Sequence, residues 1–222
     1  MTDLSPPSGP SPITPRPRAG RPTRDQAEAR HAELLDTALD MFLERGFEQT
    51  TMEGVASAVG MTKRTVYARY TDKAALFIAT VQRAIERMIV ADDVLRDLDT
   101  GDLKQTLTAL ARMRVAQVMT PAGLKLQRII NTESYRFPQI FTMSYELGAG
   151  AVIAFLADLL RRHNSAGAVC VAQPDMAANV FMSMVVGGPV RLIVSGNPIS
   201  QQEIDDRIAF SIDLFLNGIK PR

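Results

Sequence analysis

The sequence predicts an all-α protein. Apolar residues recur three and four positions apart through most of the 222-residue chain, which is the spacing of amphipathic helices. Glycine and proline mark the breaks between these segments, and neither a convincing strand alternation nor an internal repeat is visible. With 46% hydrophobic residues, the chain can bury one large core or two smaller ones.

The first 24 residues are rich in proline, serine and glycine, so we expect a disordered arm over residues 1–24. The arm is basic: four arginines and no acid lie between Arg16 and Arg24. Its arginines could reach a nucleic-acid groove, as basic arms of other proteins do. A solubilising tail is the alternative.

Three helices are predicted next, of which the second and third are short. The first runs from about Ala27 to Arg45 and should end at Gly46. Thr51 is a suitable N-cap for the second helix, which ends at Gly60, and Thr62 can cap the third. Two short helices joined at a glycine form a helix-turn-helix.

The third helix presents hydrogen-bond donors outward. If Val66 points into the core, the outward arc carries Lys63, Arg64, Thr65 and Tyr67. The net charge of the chain is only +1, yet the stretch from position 60 to 73 has four basic residues and one acid. A local basic surface of this kind favours DNA contact. An ordinary solvated helix face is the alternative.

Lys73 provides a separate indication. Asp72 is the predicted N-cap of a fourth helix, which places the Lys73 cation where the helix dipole disfavours it. A DNA phosphate bound by Lys73 and the free N–H groups of that helix start would offset this charge.

The segment LLDTALDMFLERGFEQTTMEGVASAVGMTKRTVYARYTDKAALF resembles the DNA-binding domain of the TetR family of bacterial transcriptional repressors. The resemblance covers about 45 residues by its landmarks. These are ERGF at the end of the first helix, the Thr50-Thr51 pair, Ala56, Gly60, TVY at Thr65 to Tyr67, Tyr70, Lys73 and Leu76.

The resemblance implies a DNA-binding domain over residues 25–72 and places Tyr70 at a packing position. Where many relatives carry Gly, Ala or Pro, this chain has Arg64, which we expect to read a guanine or, alternatively, to contact a phosphate. The positions implied to contact DNA are Thr51, Lys63, Arg64, Thr65, Tyr67, Arg69 and Lys73, and Thr62 completes the predicted DNA-binding set.

Helical patterns continue through the rest of the chain. By the resemblance, residues 73–222 form a larger helical domain for ligand binding and dimerisation. The predicted helices run from Lys73 to about Ile89, Leu103 to Met119, Gly123 to Tyr135, Pro138 to His163, Asp175 to Val194 and Gln201 to Leu216.

Two candidate surfaces are predicted in this domain. The last two helices are richly apolar and should form a homodimer interface through Met176, Val180, Met184, Ile208, Ile212 and Phe215. Flexible thioethers and aromatic rings suit an adaptable pocket, although plain core packing is the alternative. The predicted ligand-binding residues are Met113, Phe137, Phe141, Met143, Tyr145, Phe155 and Phe181.

Other classes of protein are disfavoured. The single Cys170 excludes an internal disulfide, and two histidines provide no zinc site. No catalytic or cofactor site is visible, because the glycines at 148 and 150 lack the third glycine of a nucleotide loop. The longest uncharged run, Met176 to Val190, is too short to cross a membrane, for which about 20 residues are needed.

We therefore expect a cytoplasmic bacterial repressor rather than an enzyme. It should bind double-stranded DNA at a palindromic operator as a homodimer, and an effector that is at least partly apolar should release it. The alternative is an architectural or ligand-independent DNA-binding protein.

Overall fold

A computed structural model describes residues 23–194, 196 and 199–221 of the chain. Every regular element in this part is helical, and two of them are π-helical segments within longer helices. In chain order the elements are α1 (Arg24–Gln49), α2 (Met52–Ala58), α3 (Lys63–Tyr67), α4 (Lys73–Glu86), α5 (Asp92–Asp97), α6 (Leu103–Val118), α7 (Pro121–Glu133), α8 (Gln139–Met143), π1 (Ser144–Ala149), α9 (Gly150–Ser165), α10 (Pro174–Met182), π2 (Ser183–Gly187), α11 (Gly188–Val194) and α12 (Gln201–Gly218).

The first helix differs from its prediction at both ends. It begins at Arg24 because Thr23 and Gln26 form a capping box, so these residues are not part of the arm. Residues 1–22, on which the rest of the arm prediction falls, lie outside the described residues. The backbone of Gly46 is not helical, with φ 79° and ψ 166°, so the predicted stretch ends there, and after this kink a short helical stretch continues α1 to the C-cap Thr50.

Helix α5 was not predicted. It is only six residues long and its N-cap, Ala91, makes no side-chain hydrogen bond, so neither periodicity nor capping marked it in the sequence. Leu95 is nevertheless buried and anchors α5 to the second core.

Two apolar cores organise the molecule. The first joins α1, α2 and α3 to α4, α7 and α8 without a break at residue 72. Its centre is aromatic: the rings of Phe47, Phe77 and Phe137 lie within 5.5 Å of one another, centroid to centroid. The helix-turn-helix is therefore packed directly on the C-terminal part.

The second core lies among α6, α9, α10 and α12. Phe181 on α10 and Phe215 on α12 pack against each other at its centre, with centroids 5.0 Å apart. Both side chains are buried.

The helices Gln139–Ser165 and Pro174–Ile193 have mean hydropathies of 1.6 and 1.4 and are long enough to cross a membrane. This is weak evidence for insertion, because core helices of soluble proteins share these properties. Both helices contribute buried residues to the second core, for example Leu156 and Phe181.

Candidate nucleic-acid interface and ligand cavity

The turn between α2 and α3 places α3 on the surface. Gly60 adopts a positive φ of 61°, and the Met61 N–H donates to the Ala56 carbonyl at 2.8 Å. The Thr62 hydroxyl then caps α3 by accepting from the Thr65 N–H at 3.2 Å. Val66 is fully buried and fixes the orientation of the helix.

The opposite face of α3 is exposed. It carries Thr62, Lys63, Arg64, Thr65, Tyr67 and, just after the helix, Arg69. Lys63 forms an ion pair with Glu53 of α2, and this contact raises the pKa of the Lys63 ammonium group. Arg64 and Arg69 have no ion-pair partner among the described residues, so both guanidinium groups are available to DNA.

Tyr70 packs against α1, as the resemblance implies. Its hydroxyl lies 2.5 Å from His31 Nε2, and the two rings are stacked. Burial, followed by the charges of Arg69 and Arg83, lowers the pKa of His31. Sequence reasoning missed His31 as the partner that holds the end of the α3 segment on α1.

Thr51 is exposed and caps α2, because its hydroxyl accepts from the Gly54 N–H at 3.0 Å. The same hydroxyl lies 3.0 Å from the position that a Cβ would take at residue 54, so a glycine suits this tight cap.

Lys73 has partners within the protein. Its Nζ donates to the Glu48 carbonyl at 3.0 Å and lies 4.4 Å from the centroid of the Phe47 ring. These contacts offset the cation at the start of α4 without a bound phosphate. Lys73 thus links the end of α1 to the start of α4, and its contact with DNA stays a prediction.

Ion pairs connect α1 to the C-terminal part at three points. Asp36 binds Arg83 of α4 and Arg87, the C-cap of that helix, at 3.1 and 2.9 Å. Asp40 binds Lys125 of α7 at 2.5 Å. The third pair joins Glu48 to Arg136, also at 2.5 Å, and lowers the pKa of the Glu48 carboxyl.

A cavity of about 300 Å³ lies among α4, α6, α7 and the two π-helical segments. Both π segments contribute to its wall, which fits the frequent occurrence of π-bulges at functional sites. Its lining residues are Ile85, Met88, Arg114, Val118, Leu126, Gln127, Ile130, Phe141, Ser144, Tyr145, Gly148, Ala149, Ile153, Asn179, Met182, Ser183, Val186 and Gly187. A larger cleft of about 550 Å³ lies between α1 and α7, where Asp40 and Lys125 pair across it. The smaller cavity is the candidate ligand site because all of its lining residues belong to the C-terminal part.

Gly148 lets π1 approach α4 closely. A Cβ at this position would lie 3.3 Å from Ile85 Cγ2. Gly148 therefore serves helix packing at this point rather than a nucleotide loop.

Arg114 is the one charged residue among the described lining residues that the sequence did not predict. It is only 7% exposed, and burial lowers its pKa. Arg112, two residues earlier on α6, is exposed and pairs with Asp205 at 3.9 Å. Arg114 lies on the same stripe of α6 as the buried Leu110 and Val118, whereas Arg112 lies off that stripe.

The cavity brings together Phe141 and Tyr145 from the predicted ligand-binding set. The remaining members lie elsewhere. Phe137 belongs to the aromatic centre of the first core and Phe181 to that of the second. Met143 packs at the edge of the first core, and Met113 and Phe155 pack at the edge of the second. Their apolar character serves the interior, which was the alternative interpretation.

The predicted dimer residues also fall into two groups. Ile208, Ile212 and Phe215 are buried within the subunit, because the apolar face of α12 packs into the second core. Met176 and Val180 are exposed, and Met184 is half-buried. On α12 the exposed apolar side chains are instead Phe210 and Leu214.

No group of three or more His, Cys, Asp and Glu side chains that could hold a metal ion occurs within the described part of the chain.

Comparison with known proteins agrees with this arrangement. Residues 34–80 match the family described as "Bacterial regulatory proteins, tetR family", and residues 105–218 match "AefR-like transcriptional repressor, C-terminal domain". The HTH-type transcriptional repressor Rv1474c of Mycobacterium tuberculosis is 24% identical over 198 residues, which span 89% of this chain and 97% of that protein.

Solved structures give the same result. A TetR-family transcriptional regulator from Mesorhizobium loti is 26% identical, with a TM-score of 0.73 over 90% of this chain and 100% of that one. The flavonoid-responsive regulator FrrA is 30% identical, with a TM-score of 0.68 over 88% of this chain and 99% of that one. The chain belongs to the TetR family of bacterial transcriptional regulators.

Proposed function

We propose that this regulator is a dimeric repressor that binds a palindromic operator through the exposed face of α3 and leaves it when a small molecule enters the 300 Å³ cavity. One observation carries the proposal: α4 and α7 line the cavity and also pack on the DNA-binding head, which consists of α1, α2 and α3. Ile85 of α4 and Met88, just after the helix, line the cavity, while the start of α4 adjoins the helix-turn-helix. The protein would act in the bacterial cytoplasm, on the nucleoid.

Helix α7 offers a second route from the cavity to the head. Leu126, Gln127 and Ile130 line the cavity, whereas the neighbouring Lys125 pairs with Asp40 of α1. A ligand that displaces α4 and α7 would therefore reorient α1 and with it α3. A differential affinity of a few kcal/mol between the two conformations is enough, since about 1.4 kcal/mol corresponds to a tenfold change.

The dimer would form through α10, π2 and α12. Val180, Phe210 and Leu214 are exposed large apolar residues on these helices, and Met184 lies beside Phe210 at a shared surface cleft. Apolar surface of this kind is typical of protein interfaces. A two-fold dimer would place two α3 helices in successive major grooves, about 34–36 Å apart.

Selection of bound sequences from a random DNA library tests the operator. We expect enrichment of a palindrome whose half-sites lie about one helical turn apart, bound by a dimer. The Arg64→Ala, Arg69→Ala double variant is the control, because both side chains are exposed and unpaired within the described structure, so folding and dimerisation should persist. Equal binding of all sequences would instead indicate an architectural DNA-binding protein.

Effector control is tested on the selected operator by fluorescence anisotropy with a panel of apolar small molecules. A compound that occupies the cavity should lower operator affinity at least tenfold, as allosteric coupling of roughly 1–3 kcal/mol predicts. If compounds bind the cavity and operator affinity does not change, the protein is a ligand-independent binder.

A further inference from the structure

Arg114 carries the only charge among the described residues that line the cavity. The surrounding wall is made largely of aliphatic and aromatic side chains, including Val118, Leu126, Ile130 and Ile153. A cation in such surroundings is costly unless an anion pairs with it.

The protein does not supply that anion. Arg114 forms no ion pair with the described acidic residues, and its Nε is fully buried without a hydrogen-bond acceptor. Nη1 donates to the Met88 carbonyl at 3.5 Å and to Gln117 Oε1. One edge of the guanidinium group is therefore satisfied by neutral acceptors, and Nε is not.

The contacts that Arg114 makes within the protein do not neutralise its charge. The bond from Nη1 to Gln117 Oε1 helps to orient that amide, whose Nε2 donates to the Met88 carbonyl at 3.0 Å. The bond from Arg114 to the same carbonyl is longer, 3.5 Å, and duplicates that contact. All of these acceptors are neutral, and Nε keeps none.

We propose that the cavity takes an organic anion whose apolar body lies against the aliphatic wall and whose carboxylate, or a similar anionic group, pairs with Arg114. This inference rests on the proposed function, since it names the chemical class of the effector. The planar guanidinium fork suits two-oxygen anions. Tyr145 and Asn179, hydrogen-bonded at 2.9 Å, and Ser183 provide further polar contacts on the opposite helices.

Two dyes with the same aromatic body test the proposal on the full-length protein. 1-Anilinonaphthalene-8-sulfonate carries an anionic group that N-phenyl-1-naphthylamine lacks, and both fluoresce in apolar surroundings. We expect the sulfonate to bind on the order of tenfold more tightly than the neutral dye, as one charge-assisted contact predicts. Decanoate should likewise displace the dye at a lower concentration than 1-decanol.

Substitutions at Arg114 and Arg112 test whether the preference for the anionic compound arises at Arg114. Arg114→Met should remove the preference for the anionic member of each pair while the neutral dye still binds. Arg112→Met is the matched control, because it makes the same change of net charge on the exposed side of α6 and should leave the preference intact. Arg114→Lys keeps the charge without the fork, so it should retain part of the preference and covers the case in which Arg114→Met does not fold.

Equal affinity of the two members of each pair, binding of neither dye, or a preference that survives Arg114→Met would each overturn the proposal. The operator assay separates this result from the proposed function. An Arg114-dependent preference with no effect on operator affinity would sustain the anion site and refute effector control. If 1-decanol released the operator as strongly as decanoate, effector control would be sustained and the anion site refuted.

Discussion

Neighbouring residues of α3 have opposite roles. Val66 is buried completely and holds the helix, whereas Arg64 and Lys63 point into solvent. Lys63 is already paired with Glu53, so Arg64 is the freer of the two side chains to approach a base. The chemistry of the interface is therefore set by single positions on a short, well-anchored helix.

Arg64→Ala should relax sequence preference, with a loss of about 1–3 kcal/mol on the preferred operator. Arg69→Ala should instead weaken binding to all sequences about equally, because we expect Arg69 to contact phosphate. It should also reduce the slope of log affinity against log salt concentration by about one. Binding isotherms on preferred and scrambled DNA at several salt concentrations distinguish the two. Equal losses on both DNAs from both variants would refute the division of roles.

His31 should make stability depend on pH. Its pKa is lowered in the folded protein, so the unfolded chain binds more protons between the folded pKa and the ordinary histidine pKa of 6.5. This contribution is complete above pH 6.5 and is lost as the pH falls through the folded pKa. In denaturant melts across this range, the free energy of unfolding should decrease as the pH is lowered.

The His31→Phe variant keeps a ring beside Tyr70 and should lose most of that slope. His163→Gln, which removes the only other histidine, serves as the control and should keep it. A slope that is unchanged in His31→Phe would show that another group is responsible.

At the scale of elements, α3 depends on its cap. The helix is only five residues long, and the Thr62 hydroxyl bonds both the N–H and the side chain of Thr65, at 3.2 and 2.8 Å. Thr62→Ala should cost about 1 kcal/mol of local stability. Hydrogen exchange of the α3 amides should accelerate and operator affinity should fall, whereas Thr62→Ser should remain close to the parent.

The kink in α1 depends on one backbone conformation. Gly46 has φ 79° and ψ 166°, a region open essentially to glycine alone, and no neighbouring atom lies within 4 Å of the position that a Cβ would take. Gly46→Ala should therefore lower the free energy of unfolding by about 1–3 kcal/mol through backbone strain only.

Gly218→Ala is the matched control for that measurement. A Cβ there also meets no atom within 4 Å, but the residue has helical backbone at the end of α12. Thermal or denaturant melts should show little loss or a gain for Gly218→Ala. A comparable loss from both substitutions would contradict strain as the cause at Gly46.

At the scale of the whole molecule, the main prediction is that the protein forms a homodimer. Phe210 is 70% exposed on α12, so Phe210→Glu should leave the subunit folded, place a charge in the proposed interface and yield a monomer with much weaker operator binding. Val94→Glu, at a 45% exposed position on α5, is the control and should stay dimeric. Sedimentation velocity measures both, and a dimeric Phe210→Glu would place the interface elsewhere.

The helical segments and the helix-turn-helix were predictable because their signals are local. Thr51, Gly60 and Thr62 act on residues within one turn of themselves, and Val66 follows from the helical period. Helix α5 and the continuation of α1 past Gly46 escaped prediction, since neither carries a capping signal of its own. The ligand and dimer residues were harder, because methionine and phenylalanine serve cores, cavities and interfaces alike.

Periodicity and short motifs were enough to establish an all-helical chain, a DNA-binding head and its family from the amino-acid sequence alone. Tertiary packing was needed to show that the face of α12 with Phe215 fills the core of its own subunit, and that Arg114 is buried beside a cavity without an acidic partner among the described residues. The cause is the same in both cases. What an apolar helix face packs against depends on partners distant in the chain, which the periodicity of the helix itself does not identify.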